Sequence, residues 1–224
     1  MKTFWKAAFA IAKKDILLEL RSKEIISSVL LFAVLTLIIF HFAFTADHET
    51  MTQIAPGMLW VAFSFSGILS LNRSFIPEKE DSCMEGLLSC PVGREAIYMG
   101  KCLGSFIFML IVEAVVIPVC AMLFNVDVIN PMIIMITLLA TIGFVSVGII
   151  FSALSVNTRA REMVLPILFL PIIVPIIICA VASSSAILAG GTFGDIKQYL
   201  LIIVAFDVIF FTVPLMIFKY VVEE

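Results

Sequence analysis

Charge is what this sequence has least of. Only 14% of its 224 residues are Asp, Glu, Lys or Arg, where soluble domains carry about a quarter. Histidine occurs twice, at His41 and His48, and tryptophan twice, at Trp5 and Trp60. With so few histidines, no nucleophile–base–orienter set of the hydrolase kind can be assembled. The five cysteines, at 83, 90, 102, 120 and 179, form no Cys-x-x-Cys pair, so the close ligand spacing of a structural metal site is missing. Cys102, Cys120 and Cys179 lie in apolar runs and read as small hydrophobes. A phosphate-binding loop is absent too. Gly93 and Gly100 are separated by six residues rather than four, and Lys101 is followed by Cys102 rather than Ser or Thr. If ATP drives this protein, a second polypeptide supplies it. There is no repeat and no low-complexity tract. The first 23 residues carry Lys or Arg at 2, 6, 13, 14, 21 and 23 without a central apolar core, so no cleavable signal peptide is expected.

Apolar residues are what it has in excess. They make up 62% of the chain, with 20 Phe and a mean hydropathy of +1.18, and they come in runs of about twenty, the length at which an α-helix crosses a bilayer. Backbone groups in lipid must be satisfied within the segment, which predicts helices rather than strands. The reading is an all-α membrane protein with six transmembrane helices over residues 25–44, 56–71, 102–124, 132–154, 163–182 and 199–220. Gly143 and Gly148 read as close-packing points of the fourth. Pro166, Pro171 and Pro175 predict a kinked or broken fifth. Such a break lines a pathway in some bundles and is a packed kink in others. Residues 183–198 are too apolar for a plain loop and suggest a short re-entrant element.

Residues 1–24 are expected to form a separate unit ahead of a six-helix transmembrane domain of 25–224. Phe4, Trp5, Ala8, Phe9, Ala12, Ile16 and Leu20 recur at helical spacing, with Lys6, Lys13 and Asp15 between them. This amphipathic helix suits the lipid interface, although a solvated helix packed on the bundle has the same pattern. Six spans place thirteen of the fourteen basic residues on one side. Basic loops stay in the cytoplasm, so both termini and the loop between spans two and three are expected there, in a multi-pass membrane protein.

That loop, residues 78–101, is the longest polar interval between apolar runs. It opens with Glu78, Glu80, Asp81 and Glu85, passes Gly86, Leu87 and Leu88, breaks at Pro91 and ends on Arg94 and Lys101. Acids suit the positive end of a helix dipole, so a short helix over 78–88 is expected, with Met84, Leu87 and Leu88 on one apolar face. Such a knob can dock a soluble partner; a solvated loop is the plainer alternative. Arg159, Arg161 and Glu162 are a second cytoplasmic contact or simply topology anchors. Two acids fall inside spans, Glu113 and Asp207. They read as proton-coupling groups or as neutral, hydrogen-bonded carboxyls. His41 and His48 sit near the outer end of span one, as structural residues or as an axial ligand.

The pattern acid–Lys–acid, then Glu-Gly-Leu-Leu, Pro, Arg and Gly-Lys resembles the cytoplasmic loop of ABC-2 permeases. Three stretches are similar, more narrowly, to the CcmB family of heme exporter B proteins in cytochrome c maturation. They are Pro56-Gly57-Met58-Leu59-Trp60; Leu71-Asn72-Arg73-Ser74-Phe75 running through Glu80-Asp81 to Pro91 and Arg94; and Thr158-Arg159-Ala160-Arg161-Glu162. The resemblance implies a type V exporter-like fold with a cytoplasmic coupling helix between spans two and three. It also implies a permease subunit, not itself an enzyme, whose ATPase acts in trans. The partners it implies are a CcmA-like ATPase, a CcmC-like heme-handling membrane protein, a CcmD-like helper, a CcmE-like periplasmic chaperone and a second copy of the chain. Heme is the implied cargo and ATP sits in the partner; the chain itself is expected to hold no cofactor or metal and to bind no nucleic acid. A permease for another amphiphile, or a scaffold that translocates nothing, remains open at this point.

Overall fold

Chains this apolar satisfy their backbones internally, and the computed structural model is built accordingly. It describes residues 2–44, 48–75, 93–155 and 161–221. Seven helices occur among them: α1 (Lys2–Arg21), α2 (Lys23–Ala43), α3 (His48–Leu71), α4 (Arg94–Phe124), α5 (Pro131–Ser155), α6 (Arg161–Leu188) and α7 (Phe193–Val221). The last six each contain a stretch long and apolar enough to cross a membrane.

Contacts between helix ends show that α3, α5 and α7 end where α4 begins, and that α2 and α4 end together. Ser152, near the end of α5, donates to the carbonyl of Leu71 at the end of α3. Tyr98, in the first turns of α4, donates to the carbonyl of Ser146 and packs on Phe218 near the end of α7. At the opposite end His41 of α2 meets Phe124 of α4 edge-on.

α5 is the hub. Every residue from 143 to 150 is buried, and α5 packs against α3, α4, α6 and α7. Lipid supplies no hydrophobic drive between helices, so close approach depends on small residues. Gly143 and Gly148 play that part as expected: a side chain on Gly143 would overlap Ile176 and the Asp207 carboxyl, and one on Gly148 would overlap Leu71. The outward faces of α2, α6 and α7 carry exposed Leu31, Phe42, Ile167, Ile178, Leu201 and Val208, as a bundle bathed in lipid tails requires.

Two expectations need correction. Of the two outcomes expected at the prolines, a kink or a break, the break does not occur: α6 is one helix through Pro166, Pro171 and Pro175. Leu165, Phe169, Ile173 and Ile176 are fully buried, and this packing holds the helix where three lost donors would otherwise break it. Residues 183–198 are not re-entrant. They are the last turn of α6, a tight reversal and the first turn of α7. Gly190, at φ +86°, closes α6: its N–H bonds to Ile187 and the N–H of Gly191 bonds to Ala186, the double hydrogen bond of a left-handed glycine cap. Thr192 then opens α7, with its N–H on Asp195 Oδ2 at 2.7 Å, as in a capping box. The apolar residues of this stretch extend the two helices. α3 and α4 likewise begin earlier than expected, at His48 and Arg94.

α1 makes its most extensive contact with α4. Ala8 and Ala12 are buried against Gly100 and Gly104, a small-xxx-small pair on each helix. Trp5, Phe9, Leu17 and Leu20 are exposed on the other side. A Cβ at Gly100 would stand 2.7 Å from Ile11 Cβ and 2.8 Å from the Ala8 carbonyl, whereas one at Gly104 would be 3.2 Å from Asp15 Cβ. Gly100→Ala is therefore expected to cost about 1–3 kcal/mol through overpacking, and Gly104→Ala less. Thermal unfolding of the detergent-solubilised variants checks this; a larger loss at Gly104 would contradict the packing described.

Candidate functional site

The chain leaves α3 at Leu71 through a turn over residues 72–75, in which the N–H of Asn72 bonds to Ile68 and that of Ser74 to Leu71. This exit is clamped to α5: Ser152 Oγ donates to the Leu71 carbonyl at 2.7 Å, and the Leu71 side chain fills the space in front of Gly148. The chain re-enters at Gly93 and starts α4 at Arg94. Residues 76–92 lie between. Glu78, Glu80, Asp81, Glu85, Gly86, Leu87, Leu88 and Pro91 are thus outside the described residues, as is Arg159. Arg161 and Glu162 open α6. Asn72 is half-buried and Arg73 exposed.

Lys101 requires a correction. The sequence reading made it the end of the loop, but it lies about two turns inside α4 and is only 1% exposed. Its Nζ donates to the Ser74 carbonyl at 2.6 Å, pairs with Asp15 Oδ2 at 3.2 Å and stands 4.8 Å from the centre of the Phe75 ring. A buried ammonium is tolerated only when paired and hydrogen-bonded, and here three elements converge to meet that demand. α1 supplies the carboxylate, the exit from α3 supplies a carbonyl and a ring face, and α4 supplies the cation. The glycines beside Lys101, at 100 and 104, bring α1 close enough for the pair to form.

A cleft of about 240 Å³ adjoins this junction, lined by Asp15, Glu19, Ser22, Arg73, Ser74 and Lys101 among others. Glu19 Oε2 is buried without a hydrogen-bond partner. Burial, with the neighbouring Asp15 carboxylate, pushes the Glu19 carboxyl up to about 8, while Lys101 pulls the other way. The sequence reading put Asp15 among the polar residues of the first helix and passed over Glu19. The signal was there: 8, 12, 15 and 19 follow helical spacing, which puts both acids on the face of the two alanines.

The intramembrane acids have different surroundings. Glu113 of α4 is buried and accepts a hydrogen bond from Thr141 Oγ1 of α5. Asp207 of α7 is buried, and its Oδ1 has no partner. His41 is half-buried with an unpartnered Nδ1. His48 begins α3, on the same end of the bundle as His41. Cys102, Cys120 and Cys179 are buried free thiols, packed as the sequence reading had them.

Comparison with known proteins adds the family. The model of the family described as CcmB protein matches residues 6–222. The chain is 26% identical over 185 residues to a heme exporter protein B of Bradyrhizobium diazoefficiens, covering 82% of this chain and 83% of the relative. It is 27% identical over 182 residues to that of Haemophilus influenzae, covering 81% of each. With that of Paracoccus denitrificans the identity is 28% over 170 residues, covering 75% of this chain and 78% of the relative.

Two outcomes follow from the junction. Lys101→Met strips the Asp15 carboxylate of its buried partner and is expected to cost about 3 kcal/mol. Adding Asp15→Leu is expected to restore most of that loss in thermal unfolding, and two strictly additive losses would rule out a coupled pair. The second concerns pH. A carboxyl raised in the folded state supports folding below its ordinary value near 4.5 and loses that contribution as pH rises through about 8. Docking of α1 is therefore expected to loosen between pH 5 and 8, read as faster amide exchange in residues 8–20 than in α5, and Glu19→Gln is expected to flatten the dependence. The groups facing Glu19 are Asp15 on α1, Lys101 on α4 and Arg73 at the exit of α3.

Proposed function

This chain belongs to the CcmB protein family, and from that premise we propose that it is the membrane permease subunit of an ATP-driven complex serving cytochrome c maturation. ATP hydrolysed by a separate CcmA-like subunit is coupled through this chain to export of heme, or to release of a heme-loaded CcmE-like chaperone. The name of the relatives, heme exporter protein B, supports heme as what the complex handles. A CcmC-like heme-handling protein and a CcmD-like helper complete the assembly.

The observation that carries the coupling half of this reading is the Lys101 junction. Residues 76–92 hang between Phe75 and Gly93, and Phe75, Ser74, Lys101 and Asp15 tie that base to α1, α3 and α4 at once. A load applied to the loop by a docked ATPase passes into three helices rather than into slack backbone. Glu78, Glu80, Asp81 and Glu85 are the acids offered to basic groups of the partner, around the apolar Leu87 and Leu88, with Arg161 and Glu162 as a second contact. The bias of basic residues puts this face in the cytoplasm, of an inner membrane. On the outer side of α1, exposed Trp5, Phe9, Leu17 and Leu20 with Lys6, Lys13 and Arg21 suit the headgroup layer.

The test is a pull-down of tagged protein from detergent-solubilised native membranes, read by mass spectrometry. An ABC ATPase and a heme-handling membrane protein are expected among the recovered chains. Glu80→Ala combined with Glu85→Ala is expected to lower ATPase recovery roughly tenfold, as the loss of one or two charge-assisted contacts implies. Full recovery and unchanged ATPase activity with that variant would overturn the docking role of the loop. An envelope defect in a deletion strain that retains its c-type cytochromes would instead move the cargo from heme to another amphiphile.

A further inference from the structure

A second feature owes nothing to the loop. Between α4, α5 and α7 lies a cavity of about 410 Å³, within the range of about 300–1,000 Å³ of small-molecule sites. Met99, Cys102 and Val145 are buried in its wall, and the half-buried Leu103, Phe106 and Phe211 stand round it. Val208 also lines it and is itself 60% exposed, so the cavity opens on the outer face of the bundle. From Met99 to Phe106 is about 10 Å along α4. The cavity therefore fits within one leaflet of a hydrocarbon core about 30 Å thick, on the side where α4 begins.

What can occupy it follows from what the wall lacks. No cation lines it, so the propionates of heme find no counter-charge and this is not a seat for the cargo named above. The hydroxyl of Ser146 is spent on the Ile142 carbonyl at 2.7 Å. Asp207 Oδ1 is packed against Gly143, which does not line the cavity. Water stays in a cavity only where several polar groups hold it, and this wall does not offer them. Left empty, the cavity would cost its lining atoms their contacts on one side. The bilayer at the mouth supplies hydrocarbon to fill it. An apolar cavity of about 150 Å³ takes up one benzene; at that filling about 410 Å³ holds roughly sixteen carbons, close to one acyl chain.

We propose that this cavity binds one acyl chain of a phospholipid, which enters past Val208 and packs on Phe106, Phe211 and the buried wall. The head group stays among the other lipids, so the site selects by chain and not by head.

The test places the protein in bilayers of dioleoylphosphatidylcholine in which a rising fraction carries brominated chains. Phe106→Trp puts an indole in the wall, with Phe211→Trp as the second reporter where the first fails to fold. Ile209→Trp, next to Val208 but outside the cavity, reports the surrounding lipid at the same depth. Quenching is taken as the difference from the parent protein, which retains Trp5 and Trp60. The indole in the wall is expected to follow a single exchanging chain and the one at 209 several. Unbrominated phosphatidylcholine with twelve-carbon chains leaves part of the cavity empty. It is expected to compete about threefold less well than the eighteen-carbon lipid at the wall, through lost dispersion contacts, and equally well at 209. Val145→Phe fills the cavity and is expected to abolish quenching at the wall while sparing 209; Cys102→Phe is the second filling variant. An indole in the wall that bromine does not reach, that behaves as the one at 209 does, or that is still quenched after filling overturns the proposal. So does quenching that is present in the isolated chain and lost in the complex from native membranes, which would give the cavity to a partner's helix.

Discussion

A lysine ammonium that is 1% exposed sets terms that the surrounding structure must meet. Left alone in an apolar interior it would cost several kcal/mol. Lys101 escapes that cost because Asp15, the Ser74 carbonyl and the Phe75 ring stand within reach. Those partners come from α1 and from the exit of α3, so the charge specifies where two otherwise independent pieces must sit. Apolar packing is non-directional and would let α1 slide along α4. The ion pair fixes its register, and Gly100 and Gly104 fix its distance. Charge and small residues act together here: without the glycines Asp15 stays out of reach, and without Asp15 the close approach would bury the cation with that counter-charge missing.

The same logic of proximity organises the rest of the bundle. α5 is surrounded by neighbours through its second half, which is possible only because Gly143 and Gly148 give up volume to Ile176, Asp207 and Leu71. Serine and threonine satisfy the polar remainder locally: Ser146 and Thr137 bond back one turn along α5. Thr141 Oγ1 stands within hydrogen-bonding reach of both the Thr137 carbonyl and the Glu113 carboxyl, and its single proton can go to either. Leu71 joins the two themes. Its carbonyl is held by Ser152 and its side chain by the gap at Gly148, so the end of α3 is set by the hub before the Lys101 junction begins.

Much of this was legible in the residues. Six spans followed from run length and from the placement of basic residues, and Gly143 and Gly148 stood out as packing points because they are the two glycines of a long apolar run. What escaped had physical reasons. Pro166, Pro171 and Pro175 each argue for a break, yet the sequence does not display the packing of Leu165, Phe169 and Ile173 that overrides them. Residues 183–198 were too apolar for a loop because they belonged to two helices, with Gly190 and Thr192 marking the reversal. Lys101 read as loop because charge was taken as solvated. The buried ion pair joins helices distant in sequence, and its one local mark is that Asp15 falls on the face of Ala8 and Ala12. Of the coupling segment itself only its base, at Phe75 and Arg94, was open to comparison with the structure.

The first turns of α4 carry both features described above. Tyr98 reaches the Ser146 carbonyl and Phe218, Met99 and Cys102 line the cavity, and Lys101 holds α1 and the exit of α3. These residues fall within positions 98–102, where Tyr98 and Cys102 share a face and Lys101 lies about 100° round from Cys102. A helix turn is stiff, because its backbone hydrogen bonds fix the residues relative to one another. A rotation of this turn that displaces Lys101 therefore displaces Met99 and Cys102 with it. The wall of the cavity and the base of the loop are thus two faces of a single rigid element. Neither can be reshaped while the other stays as it is, unless α4 itself bends.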